Sequence, residues 1–209
     1  MKVFIVGGDN SIGRMYTNRG HTLVDNLTDA NLIQFTGGAD VDPELYDSDV
    51  HPTTHYDADR DTKEIAYFLE ALELGKDIVG ICRGGQFLNV VNGGSLYQDV
   101  DGHAIAGTHT VIDMETLEEY DCTSTHHQQM IKGADGILVA TGDRQSTYRK
   151  YMVEGEEEDG SMQEDDVEVV YYLNTYSLCV QFHPEYVSKD HECQEYFFSL
   201  LEEFFSFKE

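Results

Sequence analysis

Cys82 is the residue of this sequence best placed to act as a nucleophile. It stands in Gly80-Ile81-Cys82-Arg83-Gly84, where the apolar run DIVGI (77–81) passes into a helix-compatible run ending at Gly93-Gly94. A strand, a sharp turn and a helix around G-x-nucleophile-x-G make a nucleophile elbow, here with cysteine in place of serine. The glycines have a steric reason, because side chains two residues either side of a strained nucleophile would collide with the neighbouring strand or helix. A helix starting just after Cys82 puts the positive end of its dipole near the sulfur and favours the thiolate, against an ordinary thiol pKa of about 8.5. The same five residues also suit a structural cysteine in a glycine-rich turn, so other features must decide.

A cysteine nucleophile works best beside an imidazole, which needs a third group to hold its tautomer. LCVQFHPEY (178–186) offers both. The strand LCVQF would deliver His183 at its end, and Pro184 would stop it. On an extended segment a spacing of two puts His183 and Glu185 on one side, so Glu185 can orient the ring. A lone His-Pro-Glu is also an ordinary loop.

These groups need a scaffold. The runs VFIV (3–6), HTLV (21–24), LIQF (32–35) and DIVGI (77–81) read as buried strands. Between Asp61 and Leu74, Ile65, Phe68, Leu69 and Leu72 fall at helical spacing, and Gly75 supplies a stop. Cys193, Tyr196, Phe197, Leu200, Leu201, Phe204 and Phe205 form the stripe of a carboxyl-terminal amphipathic helix. Continuous apolar strands interleaved with helices predict an α/β fold, a mostly parallel central sheet with helices on both faces.

The 209 residues suit a single domain, 1–209. Forty acidic against thirteen basic residues give a formal charge of −27, a field that repels phosphate and argues against nucleic acid or a membrane as partner. No apolar run approaches the roughly 20 residues of a membrane span, and the amino terminus turns polar too early for a secretory signal. The four cysteines (82, 122, 179 and 193) lack CxxC spacing, so free thiols in a reducing, cytoplasmic setting are expected. The segment EGEEEDGSMQEDD (154–166) is almost purely acidic and reads as an exposed loop, with a docking or metal-sequestering surface as the alternative.

With these residues in view, the sequence resembles the class I glutamine amidotransferase-like superfamily (flavodoxin-like architecture), and within it the free-standing γ-glutamyl hydrolase branch, peptidase C26, which includes γ-glutamyl-γ-aminobutyrate hydrolase. The likeness rests on TGGADVDPELY (36–46), DRDTKE (59–64), GICRGGQFLNVVNGGSLYQD (80–99), TSTHHQ (123–128) and VQFHPE (180–185), in the family's order. Phe182 stands where many relatives carry tryptophan. The resemblance implies a catalytic set of Cys82, His183 and Glu185 that attacks the side-chain amide of glutamine or a γ-glutamyl amide through a γ-glutamyl thioester. It implies an oxyanion hole from the backbone N–H groups of Arg83 and Gly38, and substrate binding by Gln86 and His126. The implied chemistry needs no metal and no cofactor.

Other residues were open to more than one reading. His51, His55, Asp57 and Asp59 could be a metal cluster, although a loop rimming the pocket is the simpler account. His103 and His109 lie in a glycine-flanked stretch and read as surface or loop histidines. Adjacent His126 and His127 must point to opposite sides of an extended segment, and the resemblance favours His126 as the inward one. Arg60 and Asp61 could pair with each other or shape the pocket entrance.

Two further functions compete with the stand-alone hydrolase on a small glutamine or γ-glutamyl substrate. One is a glutaminase subunit that passes ammonia to a separate synthetase, and the other an inactive binding or regulatory module. An α/β-hydrolase would place its acid before its histidine, the reverse of the order here. The residues leave a homodimer open.

Overall fold

The computed structural model describes residues 1–100, 102–142, 149–153, 156–160 and 166–205. Its strands are β1 (Lys2–Val6), β2 (Thr22–Leu23), β3 (Leu32–Phe35), β4 (Asp77–Ile81), β5 (Ser95–Tyr97), β6 (Asp99–Val100) and β7 (Ala104–Asp113). These are followed by β8 (Glu119–Thr125), β9 (Gln129–Ile131), β10 (Ile137–Gly142), β11 (Arg149–Val153), β12 (Glu156–Gly160), β13 (Val167–Tyr172) and β14 (Ser177–Val180). The helices are α1 (Asn10–Asn18), α2 (Ala58–Glu73), α3 (Arg83–Val91) and α4 (Glu192–Phe204).

The main sheet runs β2-β1-β3-β4-β14-β13-β10-β7-β8. From β2 to β14 every pairing is parallel. From β14 to β8 every pairing is antiparallel. The fold is α/β with helices on both faces, and the sheet is mixed. The parallel half arises where helices cross between strands, and the antiparallel half where the chain turns back, directly between β7 and β8 and between β13 and β14.

Successive strand residues point to opposite faces and fill two cores. Val3, Leu32, Val79, Ile81, Leu178 and Val180 pack with Ile12, Met15 and Tyr16 of α1 and the apolar stripe of α4. Val6, Ile33, Phe35, Ile78 and Cys179 pack on the other face with Phe68 and Ala71 of α2 and Phe87, Leu88 and Val90 of α3. β3 is wholly buried, as a strand covered on both faces must be. β2 is an exception to the expected buried strands: it is two residues long at the sheet edge, both exposed. With a neighbour on one side only, it has little to bury it.

The acidic segment departs from the expected loop where it is described. Residues 156–160 pair antiparallel with 149–153 in a small second sheet that also takes in β6, whereas 154, 155 and 161–165 lie outside the described residues. Among the described residues no helix is long and apolar enough to cross a membrane.

The elbow's glycines are fixed by close approach. A Cβ on Gly80 would collide with the backbone of Gly84, and a Cβ on Gly84 would collide with the carbonyl of Phe35 on β3. Backbone cannot yield as a flexible side chain can, so α3 sits against the sheet only because both positions lack a side chain. Gly84→Ala is expected to destabilise the fold by about 2 kcal/mol or more through overpacking. A urea midpoint that does not fall would contradict this.

Candidate active site

Cys82 links β4 to α3 with φ 52° and ψ −115°. This left-handed backbone is uncommon for a residue with a side chain and costs on the order of 1–3 kcal/mol. The surroundings hold it there: Cys82 N–H donates to Val180 O at 2.7 Å, and Gln86 N–H donates to Cys82 O at 2.9 Å. All four cysteines are free; Cys82 is partly exposed, whereas Cys122, Cys179 and Cys193 are buried. A thiol presented at a strained corner is what the nucleophile reading requires and the structural-cysteine reading does not.

His183 lies beyond the end of β14. Its backbone N–H donates to Thr123 Oγ1 at 2.7 Å, and the same hydroxyl donates to the His183 carbonyl at 3.1 Å. The ring and the elbow flank one glycine: a Cβ on Gly37 would lie 3.1 Å from His183 Cε1 and 3.9 Å from Cys82 Cβ. His183 Nδ1 lies 2.6 Å from Glu185 Oε1. The expected extended segment does not make this contact. Glu185 sits in a 3-10 turn, Pro184–Tyr186, that folds the carboxylate back under the ring. Tyr186, itself 59% exposed, stacks on the imidazole with centroids 4.4 Å apart and planes 7° from parallel.

Burial pushes the His183 pKa down, but the adjacent Cys82 sulfur and the Glu185 carboxylate outweigh it and raise the value to about 10. With Nδ1 engaged by Glu185, Nε2 is the nitrogen left to exchange a proton with sulfur or substrate. Glu185→Gln is expected to lower kcat by roughly 10²- to 10⁴-fold while leaving measurable turnover, because it frees the ring's tautomer and removes the charge that stabilises the imidazolium. Turnover equal to that of the parent chain would remove Glu185 from this role.

The TGG turn is braced from behind. Arg60 donates from Nη1 to Gly37 O at 3.0 Å, from Nη2 to Thr36 O at 2.9 Å and from Nε to Glu64 Oε1 at 2.8 Å. Gly38 takes φ 133° against the Arg60 guanidinium. The Arg83 side chain is 1% exposed and pairs closely with Asp61 and Glu64. Burial dominates this cluster, raising the Asp61 pKa and lowering that of Arg83 to about 10 despite their mutual attraction. Arg60 and Asp61 therefore do not pair with each other: Arg60 ties α2 to the TGG turn, and Asp61 ties it to Arg83 of the elbow. The Arg83 N–H belongs to the first turn of α3, whose amides have no intrahelical acceptor.

Gln86 is buried, and its Nε2 donates to Gln128 O at 3.1 Å and to Gln181 Oε1 at 3.2 Å. His126 is 3% exposed; its Nδ1 contacts Gln128 O at 2.9 Å and its Nε2 faces Glu168 at 3.9 Å. His127 turns the other way and meets Asp40 Oδ1 at 3.1 Å, a hydrogen bond that raises its pKa against the effect of burial. The two histidines do point to opposite sides. The inward one sits in a buried histidine cluster, and the outward one ties the HHQ segment to TGGAD.

His103 and His109 overturn the surface reading. His103 is buried, and His109, whose side chain is 15% exposed, lies in β7, a ten-residue strand paired on both sides. The glycine-flanked look of the segment hid a strand that carries His109 and begins one residue after His103. Of the residues weighed as a metal cluster, Asp57 caps α2 by accepting the Arg60 N–H at 3.0 Å, and His55 donates its backbone N–H to Asp40 at 2.7 Å. Sequence reasoning missed Thr123, Glu64 and Tyr186. Glu64 could have been found from its position four residues after Arg60 on one helix.

Comparison with known proteins follows this geometry. A family model for Peptidase C26 matches residues 16–185. A Mycobacterium tuberculosis protein provisionally described as a glutamine amidotransferase is 33% identical over 76% of this chain, which spans about half (52%) of that protein's length. The glutamine amidotransferase-like protein YvdE of Lactococcus lactis is 31% identical over 82% of this chain and 77% of its own. Among solved structures, a glutamine amidotransferase of Thermotoga maritima covers 97% of this chain and 84% of its own with a TM-score of 0.61 at 15% identity. A chain in the PurLQS structure of the same organism covers 97% of both with a TM-score of 0.65 at 18% identity. At such identities the structural likenesses show the fold alone.

Proposed function

The chain belongs to the Peptidase C26 family of glutamine amidotransferase-like proteins, and from that premise we propose that it hydrolyses the γ-amide of glutamine or of a γ-glutamyl amine. One observation carries the reading. The partly exposed thiol of Cys82, held at φ 52°, shares a glycine neighbour with an imidazole whose Nδ1 is 2.6 Å from Glu185.

In the proposed reaction Cys82 gives its thiol proton to His183 Nε2, and the sulfur attacks the side-chain carbonyl carbon. The carbonyl oxygen becomes an oxyanion facing the N–H groups of Arg83 and Gly38, where loss of one donor costs on the order of 10²- to 10³-fold in rate. His183 gives a proton to the departing ammonia or amine as the tetrahedral centre collapses to a γ-glutamyl thioester. It then takes a proton from water, which attacks the thioester, and returns that proton to the sulfur as glutamate and the Cys82 thiol are released. Glu185 orients the imidazole throughout. Gln86 lines the glutamyl pocket, and His126 acts on substrate from behind Gln128.

The test is incubation of the full chain with a glutamine-mimicking diazo-ketone and location of the adduct by mass spectrometry. Labelling of Cys82 that disappears in Cys82→Ala is expected; labelling elsewhere, or unchanged in the variant, removes the proposal. Turnover of γ-glutamyl amines by the chain alone then separates a hydrolase from a glutaminase subunit. A subunit would prefer glutamine and gain activity only with its synthetase.

A further inference from the structure

Three histidines and two carboxylates converge on the antiparallel half of the sheet, and of these only His126 has a part in the proposed hydrolysis. The His103 and His126 rings lie 4.6 Å apart between centroids, and His103 and His109 lie 5.4 Å apart. Glu168, on β13 and fully buried, approaches His109 Nε2 at 3.3 Å and His126 Nε2 at 3.9 Å. Asp166, also buried, lies 3.6 Å from His103 Nε2.

The chemistry of these atoms is unusual for a protein interior. His126 Nδ1 contacts the carbonyl of Gln128 and must donate to it, because a carbonyl only accepts. In that tautomer of the neutral ring the lone pair is on Nε2. That lone pair points toward the Glu168 carboxylate, which bears only lone pairs when ionised. His126 Nε2, His109 Nε2 and both Glu168 carboxylate oxygens are buried without an aligned hydrogen-bond partner among the described residues. The 3.3 Å approach of His109 to Glu168 is an ionic contact without hydrogen-bond alignment. A buried carboxylate flanked by imidazole nitrogens without aligned hydrogen bonds calls for a cation, either a proton on a ring nitrogen or a metal ion between the groups.

We infer that His103, His109 and Glu168 form a binding site for a late first-row divalent metal ion of the zinc type. One ligand atom from each lies within 4.8 Å of the others. Tetrahedral zinc with bonds of about 2.0–2.1 Å keeps its ligand atoms roughly 3.4 Å apart, so the His109–Glu168 pair, at 3.3 Å, already has the spacing and the third ligand has to draw in by up to about 1.4 Å. Two imidazoles and one carboxylate suit zinc and its neighbours rather than magnesium or calcium, which take oxygen. Ser124 lies 3.4 Å from His103 Nδ1, the place of the outer partner of a ring that ligates through Nε2, and Asp166 lies 3.6 Å from that Nε2 as a further carboxylate beside the site. His126 Nε2 stands ready as a further ligand.

The ion would brace the floor beneath the proposed glutamyl pocket. Glu168 O accepts the N–H of Gln181 at 2.8 Å, and Gln128 O, which His126 contacts, also takes the Gln86 amide. The inference stands apart from the proposed hydrolysis and is tested by binding alone.

The experiment uses the full chain carrying Cys82→Ser, so that Cys82 and His183 cannot capture the ion, freed of metal by a chelator and titrated with Zn²⁺ by calorimetry. One equivalent per chain is expected. Its affinity should fall more than about a hundredfold in Glu168→Gln and in His109→Ala, beyond what loss of an outer partner costs. Co²⁺ in the same chain should give the visible bands of a four- or five-coordinate nitrogen and oxygen site with no thiolate charge-transfer band. If a variant fails to fold by circular dichroism, the Co²⁺ spectrum and a Zn²⁺-dependent rise in Tm of the Cys82→Ser chain decide. Absent or millimolar binding, binding unchanged in the folded variants, or a thiolate band would overturn the site.

Discussion

Cys82→Ala is expected to lower kcat/KM for γ-glutamyl amides by at least about 10⁴-fold, the scale on which loss of a nucleophile from a concerted set is felt. The fold should survive, because the Cys82 side chain makes no cap hydrogen bond to α3. Alanine keeps the left-handed strain at φ 52°, whereas glycine relieves it, so Cys82→Gly should be inactive yet as stable as the parent or more so, by up to about 1–2 kcal/mol. The pair of variants separates chemistry from folding. Removal of the sulfur also takes away a group that raises the His183 pKa, so the ring, which titrates near 10 in the intact site, should titrate lower in Cys82→Ala when followed by NMR. Residual turnover above a thousandth of the parent rate would mean another group performs the attack.

Glu64→Ala should be the most costly change to stability away from the nucleophile. Glu64 is 1% exposed and accepts from Arg60 at one oxygen and from Arg83 at the other. Its loss leaves two guanidinium groups sharing a buried space with Asp61 as the nearest compensation. An ion pair broken from one side in such a place typically costs about 3–5 kcal/mol. Urea unfolding would register this as a lower midpoint with an unchanged slope. The deletion also slackens Arg60, which braces the carbonyls of Thr36 and Gly37, so any remaining folded fraction should turn over more slowly. A loss below about 1 kcal/mol would show that the cluster is better solvated than its burial indicates.

Much of the site was legible because its information is local. The elbow announces itself in five consecutive residues, and the steric reason for Gly80 and Gly84 is the one the structure displays. His183 and Glu185 are two residues apart and meet, although through a turn where an extended strand was expected. What escaped is non-local. The antiparallel pairing of β13 with β10 and β14, and of β7 with β8, joins strands whose partners no periodicity reveals. His103, His109 and Glu168 could not be grouped before those pairings were known, and a strand containing Gly107 looked like a loop. DRDTKE carries part of the family likeness, and its physical work is to hold Arg83 and the TGG turn through Asp61, Glu64 and Arg60.

Cys82 and His183 leave adjacent parallel strands, β4 and β14, and the clamp of Thr123 on both backbone groups of His183 ties the base in addition to β8 at the far antiparallel edge. The height of the imidazole above the sulfur is thus set by a third strand as well as by the pair that carries the two groups. A small shift of β8 away from His183 would leave the paired strands intact and still tilt the ring. Under mild denaturant, turnover should therefore fade ahead of the bulk loss of helix and strand, which makes catalysis a gauge of how closely β8 stays docked.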